Sequence, residues 1–310
     1  MPSPTNPWIL TEPLAGLQAQ AQGLAEAAGL NPEVKRLDPA KPWRWIPARF
    51  WPDPLRVAGI AAPLPDLAIG CGGMAASVLA ALRTANCPVV QVQNPRMPIA
   101  RFDLIVANRH DELTGPNVFV TRTALHRVTP SRLAAEAGLW RVRLASLPRP
   151  LAAVLLGGNN GRYRLGPEQG AKLAAELATM MRRDRVGVIA TASRRTDPAV
   201  AALIRAAIEP LGGQVWDGTG ENPYFGMLAL ADLIIVTQDS VSMISEAAAT
   251  AAPVMIAGLP GSSRRQGLFL KTMLDEGRAR MFDGRFRPWH VTPMNDTPEA
   301  AAVMRQRLGL

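Results

Sequence analysis

The stretch 232-DLIIVTQDSVSMISEAAATAAPVMI-256 decides the fold. Leu233 to Val236 is an apolar run of strand length, and Val254 to Ile256 begins a second. Between them lie a short polar turn and a run of small residues with helical character. A strand that is apolar at every position is one covered on both faces, which is the condition of a parallel βαβ unit. The polar turn, Thr237, Gln238, Asp239 and Ser240, sits where such a unit passes from strand to helix. Asp239 or Ser240 can cap the helix, and a helix N-terminus favours anions. Capping accounts for one or two of these residues but not for Glu246, which shares a helix face with Ser242 four positions earlier. A carboxylate there can accept both hydroxyls of a ribose while the helix start holds phosphates. The turn is therefore expected to receive the diphosphate and ribose of a nucleotide-sugar.

The same alternation runs in both directions from this unit. In the first half, strands are expected near Trp8–Leu10, Leu67–Ile69, Val89–Val92, Leu104–Ala107 and Val118–Val120, with helices over Gly16–Ala28, Met74–Thr84 and Pro130–Gly138. After the Pro-bearing "SLPRPLAA" the pattern restarts with "AAVLLGGNNG", helices over Pro167–Met181 and Pro198–Ile208, and a closing helix over Thr297–Arg307. At 310 residues the chain is long for one compact core. The expectation is an α/β protein of two Rossmann-like, doubly wound domains facing a cleft. The boundaries read from the sequence are 1–147, 148–285, and a segment 286–310 free to pack back on the first domain. A Trp- and Pro-rich stretch, "KPWRWIPARFWPDP" from Lys41, is expected to be a loop with an aromatic face packed on its domain, with a membrane or acceptor contact as the alternative.

The formal charge is +9, carried almost wholly by Arg, since Lys35, Lys41, Lys172 and Lys271 are the lysines. Excess Arg suits phosphate contacts or solvated faces. No basic block interleaved with aromatics appears, which argues against nucleic acid as a partner. Cys71 and Cys87 have neither metal-ligand nor disulfide spacing and read as buried thiols in a reducing compartment. No signal-like start or membrane-length apolar run is present, so a cytoplasmic protein is expected, with peripheral contact on the inner membrane left open.

In open parallel sheets ligands bind beyond the carboxyl ends of the strands, and the polar residues cluster there. "IGCGGMAAS" offers Gly72 and Gly73 at a strand-to-helix turn. "LLGGNNG" offers Gly157, Gly158 and Asn159, where backbone amides can approach an anion closely. "TASRRTD" offers Ser193, Arg194 and Arg195, and Arg matches phosphate through paired N–H donors. Asn94 and Arg96 in "QVQNPR" follow a first-half strand and could meet an acceptor phosphate.

These residues carry a resemblance. "GENPYFGMLALADLIIVTQDSVSMISEA", "FDLIVANRHDELTGPNVFVTRTALHRVT", "LLGGNNGRYRLG" and "PMNDTPEAA" resemble the family of the plant mitochondrial-fission factor and its bacterial relatives, often labelled glycosyltransferases. More distantly, the Gly70–Ser77 loop and the 229–261 segment resemble the lipid-intermediate N-acetylglucosaminyltransferases of cell-wall synthesis. That likeness implies the glycosyltransferase-B fold, no metal and no cofactor beyond a UDP- or GDP-linked sugar as substrate. It implies a ribose-binding role for Glu246 and donor-sugar contacts for Arg265 and Gln266. Asn222, Tyr224, Thr237, Asp239, Ser240 and Met243 complete the donor side. The chain departs from those enzymes in having Asp239 and Ser240 before the helix, and in lacking their glycine- and His-bearing N-terminal loop.

A transferase also needs a base for the acceptor hydroxyl and positive charge for the leaving diphosphate. His110 with Asp111, after a first-half strand, is the first candidate base, and Glu12 the second. The expected reaction moves a sugar to an anionic lipid-linked or lipopolysaccharide-type acceptor. The alternatives are a non-catalytic protein- or membrane-binding relative of the fission factors and a nucleotide-sugar epimerase.

Overall fold

The computed structural model describes residues 4–310. They fall into two compact units: one runs to Arg127 and resumes over Asn295–Leu310, and the other is Val128–Met294.

The first unit holds a six-stranded sheet of β1 (Pro7–Thr11), β2 (Glu33–Arg36), β3 (Leu67–Cys71), β4 (Val89–Val92), β5 (Leu104–Asn108) and β6 (Val118–Thr121), all parallel, in the order β2-β1-β3-β4-β5-β6. Helices α1 (Ala15–Ala27), α2 (Pro54–Val57) and α3 (Gly73–Leu82) join them. β1, β3, β4 and β5 are buried at every position, as strands covered on both faces must be. Their side chains alternate: Ile9, Ile69 and Val106 enter one core layer with α1, while Leu10, Ala68 and Ile105 enter the other with α3. β2 was not expected from the sequence. "EVKR" has one apolar residue, and only its register against β1 (Trp8 opposite Glu33) makes it an edge strand.

The second unit contains α4 (Pro130–Arg143) and a parallel sheet of β7 (Leu151–Leu156), β8 (Gly187–Ala192), β9 (Gln214–Trp216), β10 (Leu233–Thr237), β11 (Val254–Ala257) and β12 (Ala279–Met281). The strand order is β12-β11-β10-β7-β8-β9, and α5 (Pro167–Asp184), α6 (Pro198–Ile208), α7 (Tyr224–Leu230), α8 (Val241–Ala248) and α9 (Arg264–Asp275) cover it. The final helix, α10 (Thr297–Leu308), packs against α1 in the first unit through Ala300, Ala301 and Met304.

The unit boundary lies at Arg127–Val128 rather than after residue 147. α4 lies on α7, and Trp140, Leu144 and Leu147 belong to the second unit's core. A Cβ on Gly226 would stand 2.3 Å from the Trp140 ring, so this side chain of α4 lies directly on the backbone of α7. The Pro-bearing "SLPRPLAA", where the sequence pattern restarts, lies inside the second unit, with Leu147 and Leu151 in its core. The expected separate segment 286–310 is likewise divided, at Met294–Asn295. No helix among the described residues is long and apolar enough to cross a membrane.

Candidate functional site

A doubly wound sheet has one place where consecutive crossovers leave in opposite directions, and a crevice forms there beyond the carboxyl ends of the strands. In the second unit that place is between β7 and β10; in the first it is between β1 and β3.

At the β7–β10 junction the polar turn residues bond mainly to one another. The Asp239 side chain is fully buried. Its carboxylate accepts from the Gly158 amide (2.8 Å), the Thr237 hydroxyl (2.7 Å) and the Arg195 guanidinium (3.3 Å). Burial pushes its pKa up, while those three donors pull it back. The Gly157 amide donates to Thr237 Oγ1 (2.8 Å). The two glycines thus do not form the open anion cradle expected from the sequence, because both amides face Thr237 and Asp239. They are glycine for room: a Cβ on Gly157 would meet the Asp239 carboxylate at 2.3 Å, and one on Gly158 the Arg195 carbonyl at 2.1 Å.

Neighbouring predicted residues extend the same network. Ser193 Oγ donates to the Gly157 carbonyl (2.8 Å), Asn159 Oδ1 accepts from the Leu165 amide (2.9 Å), and Arg195 Nη1 reaches the Asn159 carbonyl (3.3 Å). Gln266 Nε2 and Asn160 Nδ2 both donate to the Asp239 carbonyl, at 2.7 and 3.0 Å. Ser240 caps α8 by accepting from the Met243 amide (3.4 Å). Arg194 and Arg265 are exposed beside this network.

Glu246 lies in the second turn of α8, half-buried, and its carboxylate accepts from the Tyr224 hydroxyl. Burial raises its pKa to about 7, against the pull of Tyr224 and of the Arg132 charge. Burial, with the facing carboxylate, pushes the Tyr224 hydroxyl well up. Asn222 Oδ1 accepts from the Tyr224 amide (3.0 Å) and sets the start of α7. The Arg132 guanidinium stacks over the Phe225 ring at 3.9 Å. Glu246 is therefore a carboxyl held in an environment unfavourable to its charge yet partly reachable, which makes it a candidate for chemistry or binding.

Sequence reasoning missed Arg278. It is buried and caps the far end of α8, donating from Nε to the Ala248 carbonyl (2.9 Å) and from Nη2 to the Ala247, Thr250 and Ala252 carbonyls (2.8–3.1 Å). Burial lowers its pKa to about 10. Its sequence setting, "DEGRAR", carries no signal of this. Thr196, also missed, bonds the Ser193 amide (2.8 Å), a turn of the kind that small hydroxyl residues mark.

In the first unit Glu12 Oε1 accepts from the Met74 amide (3.2 Å), so the carboxylate caps the start of α3. Gly72 has φ +99°, open to glycine, and a Cβ there would meet Glu12 Oε1 at 2.9 Å. Gln91, buried on β4, donates to the Gly72 carbonyl (3.1 Å) from below. His110 is buried in a single turn after β5, and Asp111 accepts from the Asn108 amide (3.2 Å) to shape that turn. The fully buried Cys71 thiol is pushed well up by burial and then by the charges of Glu12 and Asp111. The candidate bases thus follow the carboxyl ends of β1 and β5 of one sheet, with β3 and β4 between those strands. Asn94 Oδ1 accepts from the Arg96 amide (2.8 Å), a turn in which Gln93 and Arg96 take positive φ (72° and 55°).

Residues 15–308 match the family model "Mitochondrial fission ELM1". The chain belongs to that family. It is 31% identical over 277 residues to "Mitochondrial fission protein ELM1" of Arabidopsis thaliana, covering 79% of this chain and 64% of that protein. An uncharacterized protein of Rickettsia prowazekii is 24% identical over 281 residues, 78% of this chain and 79% of the other. Among solved structures, UDP-GlcNAc 2-epimerase of Methanocaldococcus jannaschii superposes with TM-score 0.61 at 11% identity over 99% of this chain and 100% of its own. The same enzyme in complex with UDP-GlcNAc and UDP gives 0.58 at 10% over 98% and 99%. The glycosyltransferase SnogD of Streptomyces nogalater gives 0.51 at 15% over 98% and 94%. At such identities these likenesses show the fold, and this ELM1-family chain has the two-sheet α/β architecture of the glycosyltransferase-B class.

Proposed function

We propose that this ELM1-family protein is a metal-independent glycosyltransferase whose second unit binds a UDP- or GDP-linked sugar and whose acceptor is an anionic, lipid-linked or envelope glycan. The observation that carries the reading is Glu246, a partly reachable carboxyl raised to about 7 and held by Tyr224 on the helix that begins at the β7–β10 junction. In this reading the ribose hydroxyls replace the Tyr224 hydroxyl as donors to Glu246. Arg194, Arg265 and the first-turn amides of α8 meet the diphosphate. The fold's known company, which includes a UDP-GlcNAc complex, supports a nucleotide-sugar as the ligand class.

For the transfer step, an acceptor hydroxyl loses its proton to a base as its oxygen bonds the anomeric carbon. The bond from that carbon to the diphosphate breaks, and the leaving group carries the negative charge away. In this scheme His110 with Asp111 is the first candidate base and Glu12 the second.

A second reading has its own observation. The Gly157 and Gly158 amides and the Asp239 carboxylate are satisfied within the protein, as suits a fold retained for binding other macromolecules without transfer. Titrating UDP, GDP and their sugars calorimetrically into the parent and Glu246→Ala separates the two. A transferase binds at least one of them, and Glu246→Ala weakens that binding about 5- to 150-fold, from 1–3 kcal/mol for an unpaired polar contact. No heat with any nucleotide at millimolar concentration defeats the transferase reading. Epimerisation of free donor with no acceptor present would instead select an epimerase.

A further inference from the structure

The Trp- and Pro-rich stretch of the first unit is absorbed by none of the readings above: one face packs on its domain as the sequence led us to expect, and the other faces water. It folds into two one-turn 3-10 helices, Trp43–Trp45 and Ala48–Phe50. Trp51 anchors it: the ring is buried, and its Nε1–H is shared between the Trp43 and Ile46 carbonyls at 3.2 and 3.1 Å. Trp43, Ile46 and Ala48 pack inward against the core layer of α3. The side chains left outward are Lys41, Arg44, Trp45, Arg49 and Phe50, all exposed. Trp45 is 70% and Phe50 62% exposed, among the largest apolar exposures on the chain. Each ring carries a cation, Lys41 over Trp45 at 5.0 Å and Arg49 over Phe50 at 4.8 Å.

We infer that this platform is a docking surface for an anionic lipid bilayer, with Trp45 and Phe50 entering the interfacial layer and Lys41, Arg44 and Arg49 meeting lipid phosphates. Three observations carry it. The aromatics are held out by a buried anchor, so exposing them costs no further ordering on binding. Between residues 41 and 50 there are three basic residues and no acidic one, with Asp38 paired to Arg44 at 3.6 Å and Asp53 as the flanking acids, which leaves a net positive sign complementary to anionic headgroups. Aromatic rings beside Lys and Arg are the side chains that partition to the membrane–water interface, where an apolar body and a cationic head are both accommodated. A protein partner or a second copy of this chain would also cover apolar rings, but a basic rim on this chain's own basic surface disfavours a second copy. The inference stands on the first unit and does not depend on nucleotide binding.

The test is sedimentation with vesicles, without nucleotide, using phosphatidylcholine alone and phosphatidylcholine with one third phosphatidylglycerol. The parent is expected to bind the anionic vesicles and not the neutral ones. Trp45→Ala/Phe50→Ala should lose about tenfold or more in partitioning, since two aromatic side chains no longer leave water. The triple Lys41→Gln/Arg44→Gln/Arg49→Gln should lose about fivefold per charge, and raising salt should erase that difference. All substituted side chains are exposed, so unchanged thermal melts should accompany both results. Equal binding to both vesicle types, or variants that bind as the parent does, overturns the proposal. So does an aromatic variant that lowers the oligomeric state in sedimentation velocity, which would make the platform a contact between copies.

Discussion

Glu246→Gln should make the protein more stable at pH 8 than the parent, and no more stable at pH 4. The carboxyl titrates near 4.5 when exposed and near 7 in the fold, raised by burial. Between those values the folded state keeps a proton that the unfolded chain has released. The parent's stability therefore falls as pH rises through that window and flattens above about 7. At about 1.36 kcal/mol per pH unit, the interval from 4.5 to about 7 gives an upper figure of about 3 kcal/mol. Glu246 keeps some solvent contact, so a gap of about 1–3 kcal/mol is expected. Glutamine carries no charge at any pH and still accepts from the Tyr224 hydroxyl, so its own curve lacks this fall. Urea denaturation of both proteins at pH 4, 5, 6, 7 and 8 measures the difference, in which the other carboxylates cancel. Parallel curves across that range, or a parent that is the more stable protein at pH 8, would refute the reasoning that burial holds the proton on Glu246.

The remaining predictions concern ligand, core and tail. If ribose hydroxyls bind the Glu246 carboxylate, nucleoside-diphosphate affinity should rise several-fold from pH 6 to 8 in calorimetry and stay flat in Glu246→Gln. Asp239→Ala strands the Gly158 amide and the Thr237 hydroxyl inside the protein and should cost about 2–4 kcal/mol in urea midpoint analysis, with Asp239→Asn recovering part. Arg278→Met removes the donor from four carbonyls behind α8 and should cost about 3 kcal/mol or more by the same assay. Asp296→Ala should free α10 to limited proteolysis. Its carboxylate, whose pKa burial raises but the stronger pull of Arg122 and the Arg122 and Thr123 amides lowers overall, ties that helix to the first unit, so in the parent this support is lost as pH falls below about 3.8.

Much of the fold was legible because it is local. The apolar runs at Leu67, Val89, Leu104 and Leu233 are strands for the reason that marked them: both faces are covered, so no position alternates. β2 was not legible, since an edge strand with half its surface in water has no apolar pattern to read. The ends of the strands were rightly marked as the polar places, but the direction in which each polar group points was beyond reach. Whether Gly158 offers its amide to a ligand or to Asp239 depends on a residue 81 positions away.

From its sequence alone this protein's strand–turn–helix grammar, its two-sheet class and its family were determined, because hydrophobic period and turn chemistry act over a few neighbouring residues. Only the tertiary structure decided that α4 belongs to the second unit, that Asp239 fills the junction from within, that Arg278 backs α8, and that Trp45 and Phe50 face water. Each of these rests on which distant surfaces meet, and burial, charge and exposure exist for a side chain only after they have met.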